Sequence, residues 1–179
     1  GCKVGIAATN REGLFSAAMA FEGNPYDGHT LSATAAKTEE MTGVTIERLY
    51  VDKGYQGHDY DGKAKVMISG KKRGLTPTMK RELKRRSAIE PMIGHAKNDG
   101  RLGRNYLLGT DGDKINALLA AAGHNLRLVL TRLERLLNRF IGAVAGLMTK
   151  ISQMSIAAEP ELVFSNIGLR FSGHTTSRA

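Results

Sequence analysis

The sequence predicts an α/β fold in which helices flank a mixed sheet. Short runs of small apolar and β-branched residues predict strands in the first half of the chain. Apolar residues that recur every three or four positions predict helices in the second half. The predicted order is hairpin, helix, strand, strand, basic helix and long helix.

The first two predicted strands, residues 3–9 and 14–21, form a hairpin around an Asn-Arg-Glu-Gly turn. Thr30 is then a suitable N-cap for a helix that ends near Thr42, where Gly43 favours termination. Two further strands are predicted at residues 48–52 and 65–69, and a glycine-rich turn at 53–57 follows the first of them.

Two helices are predicted after the strands. Thr76 and Pro77 provide an N-cap and a proline at the first helical position, and the basic helix that they open is expected to reach Lys97 with a kink at Pro91. From Asp113 onward, apolar residues at helical spacing predict a long amphipathic helix whose apolar stripe faces the core. This pattern weakens beyond Gly146. We therefore predict a folded domain over residues 1–146 and a weakly structured tail over residues 147–179.

The chain has 179 residues and a formal net charge of +9, and this charge is concentrated in one segment. Between Lys63 and Arg104, thirteen basic residues stand against three acidic ones. Positive charge concentrated in this way repels itself unless a polyanion neutralises it. We therefore predict that nucleic-acid phosphate is the partner and that the basic helix contacts it through Lys80, Arg81, Lys84 and Arg85. A solvated surface without a ligand is the alternative.

The composition excludes several other classes. A single cysteine, Cys2, cannot form an intramolecular disulfide or a thiolate metal site. The absence of Trp and the low aromatic content argue against a stacking platform for single strands. No apolar run approaches the roughly 18 to 20 residues of a membrane-spanning helix, and the N-terminus lacks the layout of a signal peptide. We therefore predict a soluble cytoplasmic protein.

A pair of carboxylates is the candidate catalytic site. Asp52 ends a predicted strand, and Glu90 lies on the predicted basic helix. If that helix is continuous, Glu90 and Lys97 lie roughly 40° and 20° from Arg86 around its axis, so the three share one face. Carboxylates on a strand end and a following helix can hold divalent metal between them. The alternatives are a local turn at Asp52, an i,i+4 pair of Arg86 with Glu90, and a capping box from Ser87 to Glu90.

Two motifs carry a resemblance to a known family. Arg86-x3-Glu90-x6-Lys97 is similar to the Tyr-x2-Arg-x3-Glu-x6-Lys signature of bacterial insertion-sequence transposases that have a DDE catalytic triad. Residues 50–57, Tyr-Val-Asp-Lys-Gly-Tyr-Gln-Gly, resemble the second-aspartate motif of the same family. Residues 23–30 and 121–126 also resemble segments of that group. The resemblance extends over about residues 3–140.

This resemblance implies a ribonuclease-H-like fold and the Mg²⁺-dependent (or Mn²⁺-dependent) cutting and joining of DNA at transposon ends. It implies that Asp52 and Glu90 are catalytic metal ligands and that Arg86 and Lys97 contact DNA. It also implies a bacterial protein that associates with the nucleoid.

The sequence departs from the family pattern at two points. Leu83 occupies the position of the signature Tyr. The first aspartate of the family lies on the first strand, ahead of the hairpin, and no acidic residue before Asp52 occupies such a strand. We therefore expect this chain to be the C-terminal part of a catalytic domain whose sheet lacks its first strand. We expect it to be inactive alone. We also expect it either to self-associate or to be completed by an N-terminal portion. A non-catalytic DNA-binding remnant and an unrelated basic or RNA-binding protein are the alternatives.

Overall fold

The computed structural model describes residues 1–70 and 74–157. The elements in chain order are β1 (Lys3–Ala8), β2 (Phe15–Phe21), α1 (Asp27–Thr42), β3 (Arg48–Val51), a 3₁₀ turn (Lys53–Tyr55), β4 (Lys65–Ile68), α2 (Pro77–Arg86), α3 (Ile89–Asn98) and α4 (Gly109–Ala157). The chain divides into two compact units, Gly1–Glu134 and Arg135–Ala179. In the second unit, residues 135–157 are helical, beyond the boundary expected at Gly146. The rest of the predicted tail, and the basic residues Lys71, Lys72 and Arg73, lie outside the described residues.

The strands form two small sheets. Strands β1 and β2 pair in the antiparallel sense, as the predicted hairpin requires. Strands β3 and β4 pair in parallel, with Arg48 opposite Lys65 and Val51 opposite Ile68. The α/β class predicted from the sequence is therefore confirmed. Among the described residues, however, no strand joins the two sheets into the single mixed sheet that was expected.

Helix α1 ends where the sequence predicted and begins four residues earlier than a cap at Thr30 implies. Gly43 adopts the left-handed conformation, with φ of 66°, and its N–H donates to the Glu39 carbonyl. The helix begins at Asp27 because Tyr26, with extended backbone angles, is its N-cap residue. Thr30, the expected cap, lies inside the first turn and donates to the Asp27 carbonyl.

The basic helix is broken before Pro91 rather than kinked at it. Thr76 caps α2 as expected, since its hydroxyl accepts a hydrogen bond from the Met79 N–H at 3.3 Å. Helix α2 ends at Arg86, and α3 begins at Ile89. The proline ring clashes with the carbonyl four residues earlier and removes the hydrogen bond to it, and that carbonyl belongs to Ser87. The capping box from Ser87 to Glu90 is not formed, because Ala88 is the N-cap residue of α3 and makes no side-chain cap.

The core of the first unit lies between the hairpin, α3 and α4. Phe15, Ala96 and Ala121 are buried together, and Ile6 and Met92 pack against them. The side-chain amide of Asn125 bonds both backbone groups of Phe15: its Oδ1 accepts from the N–H at 2.7 Å, and its Nδ2 donates to the carbonyl at 2.9 Å. The neighbouring His124 ring stacks on Phe15 with centroids 3.9 Å apart. The segment at residues 121–126 therefore docks α4 onto β2.

The prediction that α4 buries its apolar stripe in the core was wrong. The buried residues Ala117, Ala121 and His124 lie on one face of the helix. Leu119 and Leu126, on the opposite face, are 61% and 60% exposed. Small side chains let the helix approach the hairpin closely, so the alanine face packs while the leucine face does not. Within the described residues, no helix is both long and apolar enough to cross a membrane.

Candidate functional site

Asp52 lies directly after β3, at the start of the 3₁₀ turn. Its Oδ1 accepts a hydrogen bond from the Lys53 N–H at 2.6 Å and one from the Ser69 hydroxyl at 3.4 Å. The local turn interaction that was an alternative for Asp52 is therefore present. It uses one carboxylate oxygen, and Oδ2 is directed to Arg86 on α2.

The guanidinium of Arg86 connects Asp52 with Glu90. Its Nη2 lies 3.3 Å from Oδ2 of Asp52, and its Nη1 lies 3.6 Å from Oε1 of Glu90. The Arg86 side chain is 15% exposed, whereas the Asp52 and Glu90 side chains are 58% and 69% exposed. The structure thus brings the two carboxylates selected from the sequence to one half-buried cation. It also contains the i,i+4 pair that was the simpler interpretation of Arg86 and Glu90.

The donor set of Asp52 and Glu90 fits a hydrated divalent cation. Mg²⁺ in proteins is usually bound through one or two carboxylates, with water and substrate phosphates completing its octahedral shell. Both carboxylates are exposed enough to allow such a shell. Among the described residues, no three or more His, Cys, Asp or Glu side chains cluster as a complete metal cage.

A loop before α1 supports the turn that follows Asp52. The Tyr26 hydroxyl donates a hydrogen bond to the Gln56 carbonyl. A Cβ on Gly54 would lie 2.7 Å from Oδ2 of Asp27, so a larger residue there would have to displace the Asp27 carboxylate. Asp27 is itself held by Lys3, whose ammonium lies 2.6 Å from Oδ1. The segments 23–30 and 50–57, which the sequence marked separately, therefore pack against each other.

Glu82 joins the basic helix to β3, and sequence reasoning missed it. Its carboxylate accepts hydrogen bonds from the Tyr50 hydroxyl and, at 3.2 Å, from Nε of Arg48. Asn10, in the hairpin turn, donates to the Glu82 backbone carbonyl at 2.9 Å. The sequence did contain one indication of this role, because Glu82 is the only acidic residue in α2. This connection places the end of α2, with Arg86, beside Asp52.

The same contacts perturb the ionisation of the groups that make them. Burial and the hydrogen bond to Glu82 raise the pKa of Tyr50 to about 12. The hydrogen bond from Tyr50 and the charge of Arg48 lower the pKa of Glu82. The Glu82 carboxylate in turn raises the pKa of Arg48. Tyr50 is therefore neutral and Glu82 charged around neutral pH.

Helix α2 presents a basic face to solvent. At 100° per residue, its four exposed basic residues fall within an arc of roughly 140°, whereas Arg86 lies outside that arc. The half-buried residues Met79, Glu82 and Leu83 occupy the other side. The signature position at Leu83 thus has an inward-facing apolar side chain. The exposed basic residues are Lys80, Arg81, Lys84 and Arg85.

Lys97 lies on α3, apart from the basic face of α2. Because the helix breaks at Ser87, the single face expected for Arg86, Glu90 and Lys97 is not formed by one continuous helix. Within α3, Lys97 lies roughly 20° from Glu90 around the axis and about 10 Å along it. Lys97 is exposed. It can therefore extend a surface that starts at Glu90.

A family model described as a transposase DDE domain matches residues 53–130. The match supports a transposase. It begins directly after Asp52, contains Arg86, Glu90 and Lys97, and covers less than half of the chain. DNA is the substrate of such a transposase, and a divalent metal is its typical cofactor. No curated protein and no solved structure matches the chain significantly.

Proposed function

We propose that this chain is part of the catalytic domain of a bacterial insertion-sequence transposase of the Tyr-Arg-Glu-Lys branch. In the complete enzyme, it would cut DNA at transposon ends and join those ends to a new site. One observation carries the proposal: Asp52 and Glu90 converge on Arg86 beside an exposed basic helix face, and the family match covers most of that region.

Asp52 and Glu90 act as catalytic metal ligands for Mg²⁺ or Mn²⁺. When bound, divalent cations activate a water or a 3′-hydroxyl and neutralise charge on the leaving oxygen of a phosphodiester. Oδ2 of Asp52 is the oxygen best suited to this role, since Oδ1 already accepts two hydrogen bonds. Glu90, in the first turn of α3, approaches from the helix side.

The basic face of α2 binds the DNA backbone. Lys80, Arg81, Lys84 and Arg85 are exposed and form a continuous arc, so they can contact successive phosphates. Arg86 and Lys97 extend these contacts toward the carboxylates. Such contacts depend on charge and carry little base-specific information. Binding to duplex DNA is therefore strong at low salt and largely independent of sequence, as expected for a nucleoid-associated bacterial protein.

The domain is ribonuclease-H-like, with the first strand placed between the two small sheets. Strands β1 and β3 each pair on one side, and residues 6–8 and 48–51 of these strands line the same cavity of about 1040 Å³. Both strands therefore border one cleft, where a further strand could pair with them.

Residues 1–179 supply two of the three carboxylates of such a triad, so they are expected not to cut DNA by themselves. The resemblance places the first aspartate of the triad on a strand ahead of the hairpin. Two carboxylates can hold one hydrated ion, but a two-metal site needs more ligands. The open strand edges also favour pairing with another polypeptide, which is either an N-terminal portion or a second copy.

Plasmid nicking and DNA binding, measured together, test this proposal. Residues 1–179 are expected to bind labelled duplex DNA and to leave supercoiled plasmid intact in Mg²⁺ or Mn²⁺. A longer chain that adds a strand with the first aspartate is expected to nick the plasmid. In that chain, Glu90→Gln should abolish nicking and retain DNA binding, because it removes a ligand charge without touching the basic face.

The matched control is Glu40→Gln, which removes a carboxylate from the exposed end of α1. It should leave nicking unchanged. Nicking that survives in Glu90→Gln would contradict the assigned site. A longer chain that binds DNA but never nicks would instead favour the non-catalytic DNA-binding alternative.

A further inference from the structure

Arg86 is in an unusual position for a DNA-binding residue. It is the least exposed member of the group Arg86, Asp52 and Glu90, and both of its terminal nitrogens are directed to carboxylates. An arginine that serves only as a phosphate contact would be expected to extend into solvent, as Arg85 does one residue earlier. The two ion pairs point to a second role for the Arg86 guanidinium.

We infer that Arg86 occupies the place of the metal in the free chain and exchanges partners when metal and DNA bind. This inference rests on the proposed function, because it takes Asp52 and Glu90 as the metal ligands. In the free chain, Arg86 neutralises both carboxylates. When a divalent cation is bound at Asp52 and Glu90, the Arg86 guanidinium would leave these carboxylates and could bind a DNA phosphate.

The charges of the site favour this exchange. Without a cation between them, Asp52 and Glu90 would repel each other, and Arg86 removes that repulsion. A guanidinium and a divalent cation cannot both contact Oδ2 of Asp52 at short range without repelling each other. The released guanidinium has a suitable acceptor in phosphate, which it binds in the same bidentate manner as carboxylate.

The exchange makes metal binding and DNA binding cooperative. If bound metal raises the affinity for DNA by freeing Arg86, thermodynamic linkage requires that bound DNA raise the affinity for metal by the same factor. The two ion pairs are partly exposed and individually weak. Their loss corresponds to a change in metal affinity of roughly fivefold to tenfold.

The test is the affinity of residues 1–179 for Mn²⁺, measured by electron paramagnetic resonance with and without a short DNA duplex. Arg86→Gln is expected to raise the Mn²⁺ affinity of the free chain by roughly fivefold to tenfold. The further increase in Mn²⁺ affinity that the DNA duplex causes should become smaller by a similar factor. Arg85→Gln is the matched control, since it removes the same charge from the same helix without an ion pair to either carboxylate. It should weaken DNA binding and change the Mn²⁺ affinity by less than about twofold.

The outcomes separate this inference from the proposed function. If Asp52→Asn and Glu90→Gln weaken Mn²⁺ binding but Arg86→Gln behaves like Arg85→Gln, the exchange is wrong and the metal site stands. If Asp52→Asn and Glu90→Gln leave Mn²⁺ binding unchanged, both proposals are wrong.

Circular dichroism shows whether Arg86→Gln still folds, and Arg86→Lys is the second variant if it does not. A single ammonium group cannot hold two carboxylates in the way a guanidinium does. Arg86→Lys should therefore raise the Mn²⁺ affinity by at least about twofold. An affinity equal to that of the unchanged chain would overturn the exchange.

Discussion

A terminal nitrogen of Arg86 lies 3.3 Å from a carboxylate oxygen of Asp52, so a helix end and a strand end meet at one ion pair. The pair joins two segments that are 34 residues apart in sequence, and the hydrogen bonds of Glu82 bring them together. The function proposed for the chain depends on this junction, because it places Glu90 beside Asp52.

Removing Glu82 should loosen the junction. Glu82→Gln loses the charge that pairs with Arg48 and weakens the hydrogen bond from Tyr50. Hydrogen bonds to a charged group typically contribute about 1.5 to 3 kcal/mol, and a partly exposed one contributes less. We expect the free energy of unfolding to fall by about 1 to 2 kcal/mol in urea titrations. Glu12→Gln, in the hairpin turn, is the control, and an equal effect in both variants would contradict the role assigned to Glu82.

Tyr50 should ionise well above the ordinary tyrosine pKa. Its pKa of about 12 lies above the ordinary value of 10, so folding favours the neutral phenol. The contribution of this group to stability is therefore complete below about pH 10 and is lost as the pH rises through about 12. A titration of tyrosinate absorbance should lose a step near pH 12 in Tyr50→Phe. Loss of an earlier step instead would show that the hydroxyl is not held by Glu82.

Glu82 should make the stability of the fold depend on pH in the acidic range, in the direction opposite to Tyr50. Because its folded pKa is lowered, its contribution is present above the ordinary value of 4.5 and is lost as the pH falls through the lower, folded value. Unfolding in urea, followed across the acidic range, should therefore show a smaller pH dependence in Glu82→Gln than in the unchanged chain. The same pH dependence in both chains would exclude this carboxylate as a source of acid sensitivity.

Local sequence rules predicted the elements whose ends are set by nearby residues. Gly43 ends α1 and Thr76 caps α2, each through a hydrogen bond within a few residues. The break at Ser87 was misplaced because the effect of Pro91 is felt four residues earlier, at the carbonyl that its ring excludes. Short-range signals thus predicted the type of each element better than its junctions.

Tertiary contacts could not be read from the same patterns. Periodicity in α4 marked the leucines, but the alanine face packs because Asn125 and His124 dock on Phe15 and Gly13. Glu82 looked like an isolated acid in a basic helix, since its partner strand lies more than 30 residues earlier. Motif spacing was the only sequence feature that selected Asp52, Arg86 and Glu90. Such spacing reflects the chemistry of a site as well as the fold.

Asn125 should be important for the stability of the first unit. Asn125→Ala would leave the N–H and carbonyl of Phe15 without their side-chain partner. Each unpaired group costs about 1 to 3 kcal/mol when it stays dry, so we expect a loss of about 2 to 3 kcal/mol in unfolding free energy. Asn138→Ala, an exposed position of the same helix, should change it by less than about 0.5 kcal/mol. Equal losses in both variants would exclude a special role for Asn125.

Gly54 should not tolerate a side chain. A Cβ there would lie 2.7 Å from Oδ2 of Asp27, which is fixed by its ion pair with Lys3. Gly54→Ala should cost about 1 to 3 kcal/mol by overpacking and should weaken Mn²⁺ binding by displacing the turn after Asp52. Gly123→Ala is the control because nothing lies within 4 Å of its added Cβ. It should be neutral or stabilising, since alanine favours the helix interior.

The basic face should dominate the salt dependence of DNA binding. Replacing Lys84 and Arg85 together by Ala should weaken binding about equally on unrelated duplexes. The negative slope of log affinity against log salt concentration should become less steep by about 1.8. The matched double variant, Lys37→Ala with Lys114→Ala, removes two exposed lysines that each pair with a neighbouring acid. It should leave the slope nearly unchanged. Fluorescence anisotropy at several salt concentrations gives both numbers, and an affinity independent of salt would contradict the electrostatic account.

Iron-directed cleavage of the polypeptide tests most directly whether Asp52 and Glu90 share one cation. Fe²⁺ bound at a Mg²⁺ site generates radicals that cut nearby backbone in the presence of ascorbate and peroxide. We expect cuts near residues 52 and 90 together, suppressed by excess Mg²⁺ and lost from both places in either Asp52→Asn or Glu90→Gln. Cleavage confined to other segments, or unchanged in both variants, would contradict the claim that these two carboxylates form the metal site.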